Sequence, residues 1–152
     1  TEAARGLALA RELAPLYHLM VLDEINSTID LGMLRLEDVL DFLKNTNGEY
    51  DVMVLDPPAF AKHLSARHKA VQGYIRLNAL ALKKIKSGGV LFTFSCSQVV
   101  DRNLFYNSIV AAAIESGRKI KVMHHLSQPP DHPVNIYHPE GEYLKGLVLF
   151  VD

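Results

Sequence analysis

The stretch that decides the fold is Tyr50-Asp51-Val52-Met53-Val54-Leu55-Asp56-Pro57-Pro58-Ala59-Phe60. Its apolar half is short and rich in valine, which predicts a central parallel strand buried on both faces. The two prolines after Asp56 cannot continue a β-ladder, so the chain has to leave the sheet there. Asp56 is therefore predicted at the carboxyl end of a strand, where open α/β sheets bind their ligands.

A second strand of the same kind is Val90-Leu91-Phe92-Thr93-Phe94-Ser95-Cys96-Ser97, which also ends in polar residues. Neighbouring parallel strands lie about 4.8 Å apart and finish at the same edge of a sheet. If these two strands are neighbours, the side chains of Asp56 and Cys96 border one shallow crevice. Such a pair could flank a planar base.

The composition is that of one ordinary globular domain with a substantial core, since 49% of the 152 residues are hydrophobic. The formal net charge of −1 gives no sign of nucleic-acid or membrane binding. The single cysteine excludes an internal disulfide and is typical of a reducing compartment. Because the chain has neither a long apolar run nor a signal-peptide pattern, we expect a soluble, cytoplasmic protein.

Apolar periodicity and turn residues divide the chain into alternating helices and strands. Helices are predicted at residues 1–14, along the stripe Leu36, Val39, Leu40 and Leu43, from about Val71 to Gly88-Gly89, and at residues 101–117. Further strands are predicted at residues 18–24, 120–123 and 144–151, with a long surface loop at residues 127–142. This order predicts an α/β fold over the whole chain. We expect one domain, a doubly wound, mainly parallel five-stranded sheet in a Rossmann-like or P-loop-like three-layer sandwich.

Folds of this class usually open with a glycine-rich loop that holds a phosphate or a cofactor. Neither G-x-G-x-x-G nor G-x-x-x-x-G-K-[ST] occurs anywhere in the sequence. The histidines and the cysteine show no metal-ligand spacing either, so no metal site is predicted. The chain therefore has the strands of a cofactor-binding fold without its usual cofactor loop.

From Asn47 onward, a set of short motifs falls in a specific order along the chain. The motifs are Asp56-Pro57-Pro58-Ala59-Phe60, Gly73-Tyr74 with Asn78, Gly88-Gly89, Ser95-Cys96-Ser97, Asp131-His132-Pro133, Pro139-Glu140-Gly141 and Tyr143-Leu144-Lys145-Gly146. In this order they resemble the C-terminal half of bacterial 23S ribosomal-RNA cytosine-C5 methyltransferases. These are S-adenosylmethionine-dependent enzymes that carry a PUA domain. The resemblance implies that the last strand is antiparallel, and the predicted order along the sheet is that of the strands containing Val21, Val54, Phe92, Leu147 and Val122.

The same resemblance implies the roles of the site residues. Cys96 would be the nucleophile that adds to C6 of the cytosine, and Asp56 would hold the edge of the base near N3. The substrate-binding residues would be Pro57, Pro58, Phe60, Ser95 and Ser97. The ordinary alternatives are a small buried cysteine at a strand end and a solvated or helix-capping aspartate.

The first 46 residues resemble a different family. Leu9-Ala10-Arg11-Glu12-Leu13, residues 18–26, and Gly32-Met33-Leu34 with Glu37-Asp38-Val39-Leu40 are similar to part of the ATP:corrinoid adenosyltransferases. That resemblance would place Asp23 and Glu24 beside the metal of a bound nucleotide. The alternative is a solvated pair of acids at a strand end, which we prefer because the phosphate-binding loop is absent.

Two resemblances that meet near Asn45 predict a chimera, recombinant or engineered, with Cys96 and Asp56 inherited but idle. No cofactor is expected to bind well, although the resembled methyltransferases use S-adenosylmethionine and act on RNA. The alternatives are an active ribosomal-RNA methyltransferase, as a fragment or completed by oligomerisation, and a nucleotide-binding relative of the adenosyltransferases. Self-association through an open sheet edge is a further expectation.

Overall fold

A computed structural model describes residues 2–13, 35–45 and 49–152 of the chain. These residues form two compact units, one within residues 1–49 and the other over residues 50–152. Among the described residues, every strand lies in the second unit. No helix in the described ranges is long and apolar enough to cross a membrane.

The first unit contains helix α1 (Glu2–Leu13) and helix α2 (Leu36–Asn45), close to the two helices predicted there. The start of α2 is capped, since the carboxylate of Asp38 accepts a hydrogen bond of 2.9 Å from the backbone N–H of Arg35. The strand predicted at residues 18–24, with Asp23 and Glu24, lies outside the described residues.

The second unit alternates strands and helices along the chain. Its strands are β1 (Tyr50–Leu55), β2 (Ile85–Ser95), β3 (Ile120–Leu126) and β4 (Lys145–Val151), and its helices are α3 (Arg67–Lys84) and α4 (Arg102–Ser116). Helix α3 connects β1 to β2, and α4 connects β2 to β3. The predicted loop before β4 is exposed along most of its length and includes a 3₁₀ turn at Pro139–Gly141.

The four strands form one mixed sheet in the order β1-β2-β4-β3. Strands β1 and β2 are parallel, whereas β4 pairs antiparallel with both β2 and β3. The predicted α/β class, the order of these four strands and the antiparallel last strand are confirmed. The predicted fifth strand, around Val21, lies outside the described residues.

One apolar core holds the second unit together. Helices α3 and α4 contribute Tyr74, Leu82, Phe105 and Ile109, each at most 1% exposed, and the sheet contributes alternate residues of β2 and β4 such as Leu149. Alternate strand residues point to the same face, so only one face of β2 joins this cluster. The core therefore covers one face of the sheet beneath the two helices.

The prediction that β1 is buried on both faces is wrong, whereas its central position depends on the predicted strand around Val21, which lies outside the described residues. Strand β1 lies at the edge of the sheet formed by the described strands, and the side chains of Val52 and Val54 are 57% and 61% exposed. Met53 and Leu55, on the opposite face, are partly buried against the core. The valine-rich pattern is satisfied by one packed face because β-branched residues favour extended backbone whether or not both faces are covered.

The predicted end of α3 is also wrong. The helix ends at Lys84, and Gly88-Gly89 lie within β2 instead of closing the helix. Between the pairs Tyr50–Ile85 and Val52–Val90 the register shifts, because β2 has more residues there than β1. Gly88 has a φ of 86° in this bulge. Glycine adopts such a positive φ with little strain, whereas a residue with a Cβ does not.

Candidate functional site

Asp56 and Cys96 lie at the carboxyl ends of neighbouring parallel strands, where they were predicted. Strand β1 ends at Leu55 and β2 ends at Ser95, and Leu55 pairs with Thr93 across the ladder. Asp56 is exposed, while Cys96 is half-buried. The placement brings the two groups to the same edge of the sheet, although their chemical roles remain predictions.

The proline segment after β1 turns over the end of β2. Pro57 is buried, and its carbonyl oxygen lies 4.0 Å from Sγ of Cys96. Phe60 packs its ring against that of Tyr74 on α3, with 4.6 Å between the ring centroids. Gly73 makes this possible, because a Cβ at that position would approach the Phe60 ring to 2.9 Å. The segment is thus fixed by packing and leaves Pro58 and Phe60 partly exposed.

The two serines beside Cys96 are engaged by the protein itself. The hydroxyl of Ser95 donates to the hydroxyl of Tyr74 at 2.8 Å, and the hydroxyl of Ser97 donates to the carbonyl of Ala61 at 2.8 Å. Both serines are fully buried. Their side chains therefore hold the turn that carries Cys96 between α3 and the proline segment, and the substrate contact stays a prediction.

Burial changes the acidity of two groups around this turn. Desolvation raises the pKa of Asp56 above its ordinary value, even though the residue as a whole is exposed. Desolvation is also the main reason why the pKa of Tyr74 rises to about 12, with smaller increases from the neighbouring charges of Cys96 and Asp56. The environment therefore favours a protonated carboxyl at Asp56 more than water does.

Sequence reasoning missed Lys145, the first residue of β4. Its side chain is 5% exposed, and its Nζ donates hydrogen bonds to the carbonyls of Ser97 at 2.6 Å and Tyr143 at 2.9 Å. Burial lowers the pKa of Lys145, whereas the charge of Cys96 raises it. A lysine between Leu144 and Gly146 at the start of an apolar strand was a signal that could have identified it.

Lys145 also lines a cleft of about 350 Å³. Besides Lys145, its lining includes Arg102 and the acids Asp101, Glu140 and Glu142. Arg102 is already paired, with 3.2 Å between its guanidinium and the carboxylate of Glu142. Because three acids face two cations, the cleft is poorly suited to a phosphate. Neither Asp56 nor Cys96 lines it, so it is separate from the crevice predicted between them.

The described residues contain no group of three histidine, cysteine, aspartate or glutamate side chains arranged to hold a metal ion. Asp23 and Glu24, the residues assigned to a nucleotide's metal, lie outside the described part of the chain. What the site brings together is a thiol, a carboxyl of raised pKa and a buried ammonium group. Such a set can support nucleophilic addition to an electron-poor ring.

Comparison with known proteins relates most of the chain to RNA methyltransferases. The ribosomal RNA large subunit methyltransferase I of Alteromonas mediterranea is 42% identical over 105 residues, which are 69% of this chain and 26% of that protein. The proteins of the same name from Pseudoalteromonas atlantica and Shewanella amazonensis are 40% and 42% identical over 71% and 75% of this chain. The chain spans 27% and 30% of those two proteins, so it matches only part of each curated relative.

The N-terminal segment matches another family. The family model of the ATP:corrinoid adenosyltransferases BtuR/CobO/CobP matches residues 1–56. This range extends past the junction expected near Asn45 and includes β1 and Asp56, and the sequence Met-Val-Leu-Asp at residues 53–56 repeats residues 20–23. The chain therefore resembles two families, in the order that the motifs predicted.

Two solved structures have a fold similar to that of most of this chain. SMU.776, provisionally described as a methyltransferase and solved in complex with SAH, superposes with a TM-score of 0.59 at 18% identity, over 76% of this chain and 30% of that one. A Streptococcus mutans protein, described in the same way as SAM-dependent, gives the same TM-score and identity over 29% of its length. At this identity the likeness concerns the fold alone.

Proposed function

We propose that this chain carries the nucleophile half of an RNA cytosine-C5 methyltransferase site on a chimeric α/β scaffold, without completing methyl transfer by itself. The observation that carries the proposal is the position of Cys96 and Asp56 at the ends of adjacent parallel strands. The proline segment between β1 and α3 is packed beside them and supplies partly exposed walls for a planar base.

The chemistry proposed for the site is addition of the Cys96 thiolate to C6 of a cytosine. The new carbon–sulfur bond pushes the ring electrons toward C5 and N3, and C5 becomes nucleophilic. A protonated Asp56 at N3 would neutralise the charge that develops there, and its raised pKa favours that protonation state. A bound base would remove more water from the carboxyl and would act in the same direction.

Methyl transfer needs more than this addition. S-adenosylmethionine supplies an electrophilic methyl group, which has to be held in line with C5, and such positioning is worth roughly 7–11 kcal/mol of the barrier. The sequence contains no glycine-rich turn of the kind that fixes this cofactor in doubly wound folds. Because this turn is missing, we derive no methyl-transfer step for the chain.

The test separates addition from methylation. RNA with tritium at C5 of cytosine should release tritium to water, because addition at C6 lets C5 accept a solvent proton before the thiolate leaves. We expect release with the purified chain and none with Cys96→Ala. We also expect no label transfer from radiolabelled S-adenosylmethionine to a ribosomal-RNA fragment.

The outcomes discriminate between the alternatives. Label transfer that depends on Cys96 would favour a complete methyltransferase, formed by this chain alone or through oligomerisation. Val52 and Val54 are exposed on β1, which lies at the edge of the sheet formed by the described strands, and they offer a surface for self-association. Sedimentation velocity measures that association. If neither tritium release nor label transfer occurs with correctly folded protein, the nucleophile assignment is refuted.

A second candidate function is nucleotide binding by a corrinoid adenosyltransferase-like segment. The match of residues 1–56 to that family favours it, and the missing phosphate-binding loop opposes it. Calorimetric titration with Mg²⁺-ATP decides between the two. Binding that is lost in Asp23→Asn and Glu24→Gln would support this second candidate, and absence of heat would support the chimeric scaffold.

A further inference from the structure

We propose that Lys145 is a positioning residue, which holds the Cys96 turn and keeps Cys96 as a thiolate by placing an ammonium charge beside it. The inference rests on the nucleophile role proposed above. It adds the residue that prepares the nucleophile, from a strand that is distant in sequence.

The geometry begins with the register of the sheet. Lys145 pairs with Ser95 in the antiparallel ladder between β4 and β2, so its backbone lies opposite the last residue before Cys96. The Lys145 side chain then continues past the strand end, and its Nζ donates to the carbonyl of Ser97 at 2.6 Å. The lysine thus contacts the residues on both sides of Cys96 and holds the turn between them.

The charge on this lysine is only partly compensated by its hydrogen bonds. Its two acceptors, the carbonyls of Ser97 and Tyr143, are neutral, and the side chain is 5% exposed. A buried ammonium group needs a counter-charge to remain favourable. A thiolate at Cys96 supplies one, which is consistent with its upward effect on the pKa of Lys145. Because such coupling is reciprocal, the ammonium group favours the thiolate equally.

Among the described titratable and charged groups around Cys96, Lys145 is the one that can supply a positive charge to a thiolate. Asp56 on the β1 side and Tyr74 on α3 cannot carry a positive charge, so neither supplies a counter-charge for a thiolate. Near the start of α4, Asp101 raises the pKa of Lys145 and Arg102 lowers it, both less than Cys96 does. Arg102 is engaged by Glu142 and by the hydroxyl of Tyr106. Lys145 is therefore the cation best placed to offset the charge of a Cys96 thiolate.

The test is the rate at which iodoacetamide alkylates the intact protein, measured across pH. Cys96 is the single cysteine of the chain, so every alkylation event reports its thiolate. We expect Lys145→Met to slow alkylation at neutral pH roughly tenfold and to move the midpoint of the pH profile upward, as removal of a nearby opposite charge does. The matched control is Lys83→Met, which removes an exposed charge from the last turn of α3 and should leave the profile unchanged.

An unchanged alkylation profile in correctly folded Lys145→Met would overturn the proposal. If circular dichroism shows that this variant does not fold, the reciprocal experiment takes its place. Lysine labelled with ¹³C at Cε is followed by NMR across pH in the original protein and in Cys96→Ser. We expect Lys145 to titrate at a lower pH in Cys96→Ser, and identical titration would refute the coupling.

These readouts separate the inference from the proposed function. A purely structural lysine would change stability without moving either pH profile. Neither experiment needs RNA or S-adenosylmethionine, so the coupling between Lys145 and Cys96 can hold even if the tritium-release assay fails. If neither the coupling to Lys145 nor the tritium release were observed, Cys96 would be an ordinary half-buried cysteine with no role as a nucleophile.

Discussion

At the scale of single residues, Asp56 is exposed to solvent and nevertheless has a raised pKa. Its position after the last residue of β1 leaves the carboxyl at the surface, but nearby protein atoms remove part of its hydration and raise its pKa. A carboxylate that only capped a helix would show the opposite shift, because backbone N–H donors stabilise its charge. The direction of the shift therefore argues against a capping role.

This shift makes a prediction about stability and pH. A carboxyl whose folded-state pKa is raised contributes stability below its unfolded-state pKa, and the contribution is lost as pH rises through the folded-state value. We expect Asp56→Asn to gain stability relative to the original protein between about pH 3 and pH 7, within about 0.5 kcal/mol because the residue is exposed. Urea midpoints at the two pH values measure this gain, and a relative loss of stability toward pH 7 would contradict it.

Other residues of the predicted site act mainly through packing. Ser95, Ser97 and Tyr74 form buried hydrogen bonds that join β2, the proline segment and α3. A buried hydroxyl that loses its partner costs about 1–3 kcal/mol, so these residues are sensitive to substitution for structural reasons. Loss of activity in serine variants would need a stability control before it is assigned to substrate binding.

At the scale of elements, α4 is the helix whose two ends have local causes. The carboxylate of Asp101 accepts a hydrogen bond of 2.8 Å from the N–H of Leu104, and Gly117 closes the helix with a φ of 70°. Both signals lie in the sequence within one turn of the helix. This explains why the predicted bounds of α4 agree with the structure.

The cap of α4 carries the second stability prediction. Asp101→Ala should lower the free energy of unfolding by about 1 kcal/mol, because the N–H of Leu104 loses its acceptor. Asp101→Asn keeps an oxygen in the same position and serves as the matched control. Chemical denaturation of the three proteins gives the comparison, and equal losses in both variants would show that the charge matters instead of the cap.

Helix α3 shows the limit of local signals. Its helical pattern extends to Ile85, but that residue pairs with Tyr50 in the sheet and is 1% exposed. The free energy of burying Ile85 in the sheet outweighs one more residue of helix, since burying such a side chain contributes about 1.5–3 kcal/mol. The helix therefore ends before the glycines that were expected to stop it.

At the scale of the molecule, the stability of the second unit depends on one core between the two helices and the sheet. Leu149 in β4 is fully buried in that core, and we expect Leu149→Ala to cost about 2–5 kcal/mol through lost burial and a cavity. Ile136, which is 85% exposed in the loop before β4, provides the control. Calorimetry should show a clear fall in the melting temperature for Leu149→Ala and almost none for Ile136→Ala.

The sequence by itself determined several features of this protein. The strand ends at Asp56 and Cys96 follow from apolar runs that stop at prolines and polar residues, and the bounds of α4 follow from a cap and a glycine. The two family resemblances and the order of the four described strands also follow from ordered motifs. All of these depend on neighbours in the chain or on motifs whose spacing the sequence displays.

Only the tertiary structure decided the surroundings of these residues. It turned the hydroxyls of Ser95 and Ser97 inward, and it placed Gly88 in a bulged strand. It also placed the ammonium group of Lys145, a residue of β4, within hydrogen-bond distance of the Ser97 carbonyl in the Cys96 turn. Burial and the pKa changes that follow from it depend on atoms brought together from distant parts of the chain, so no local pattern in the sequence can specify them.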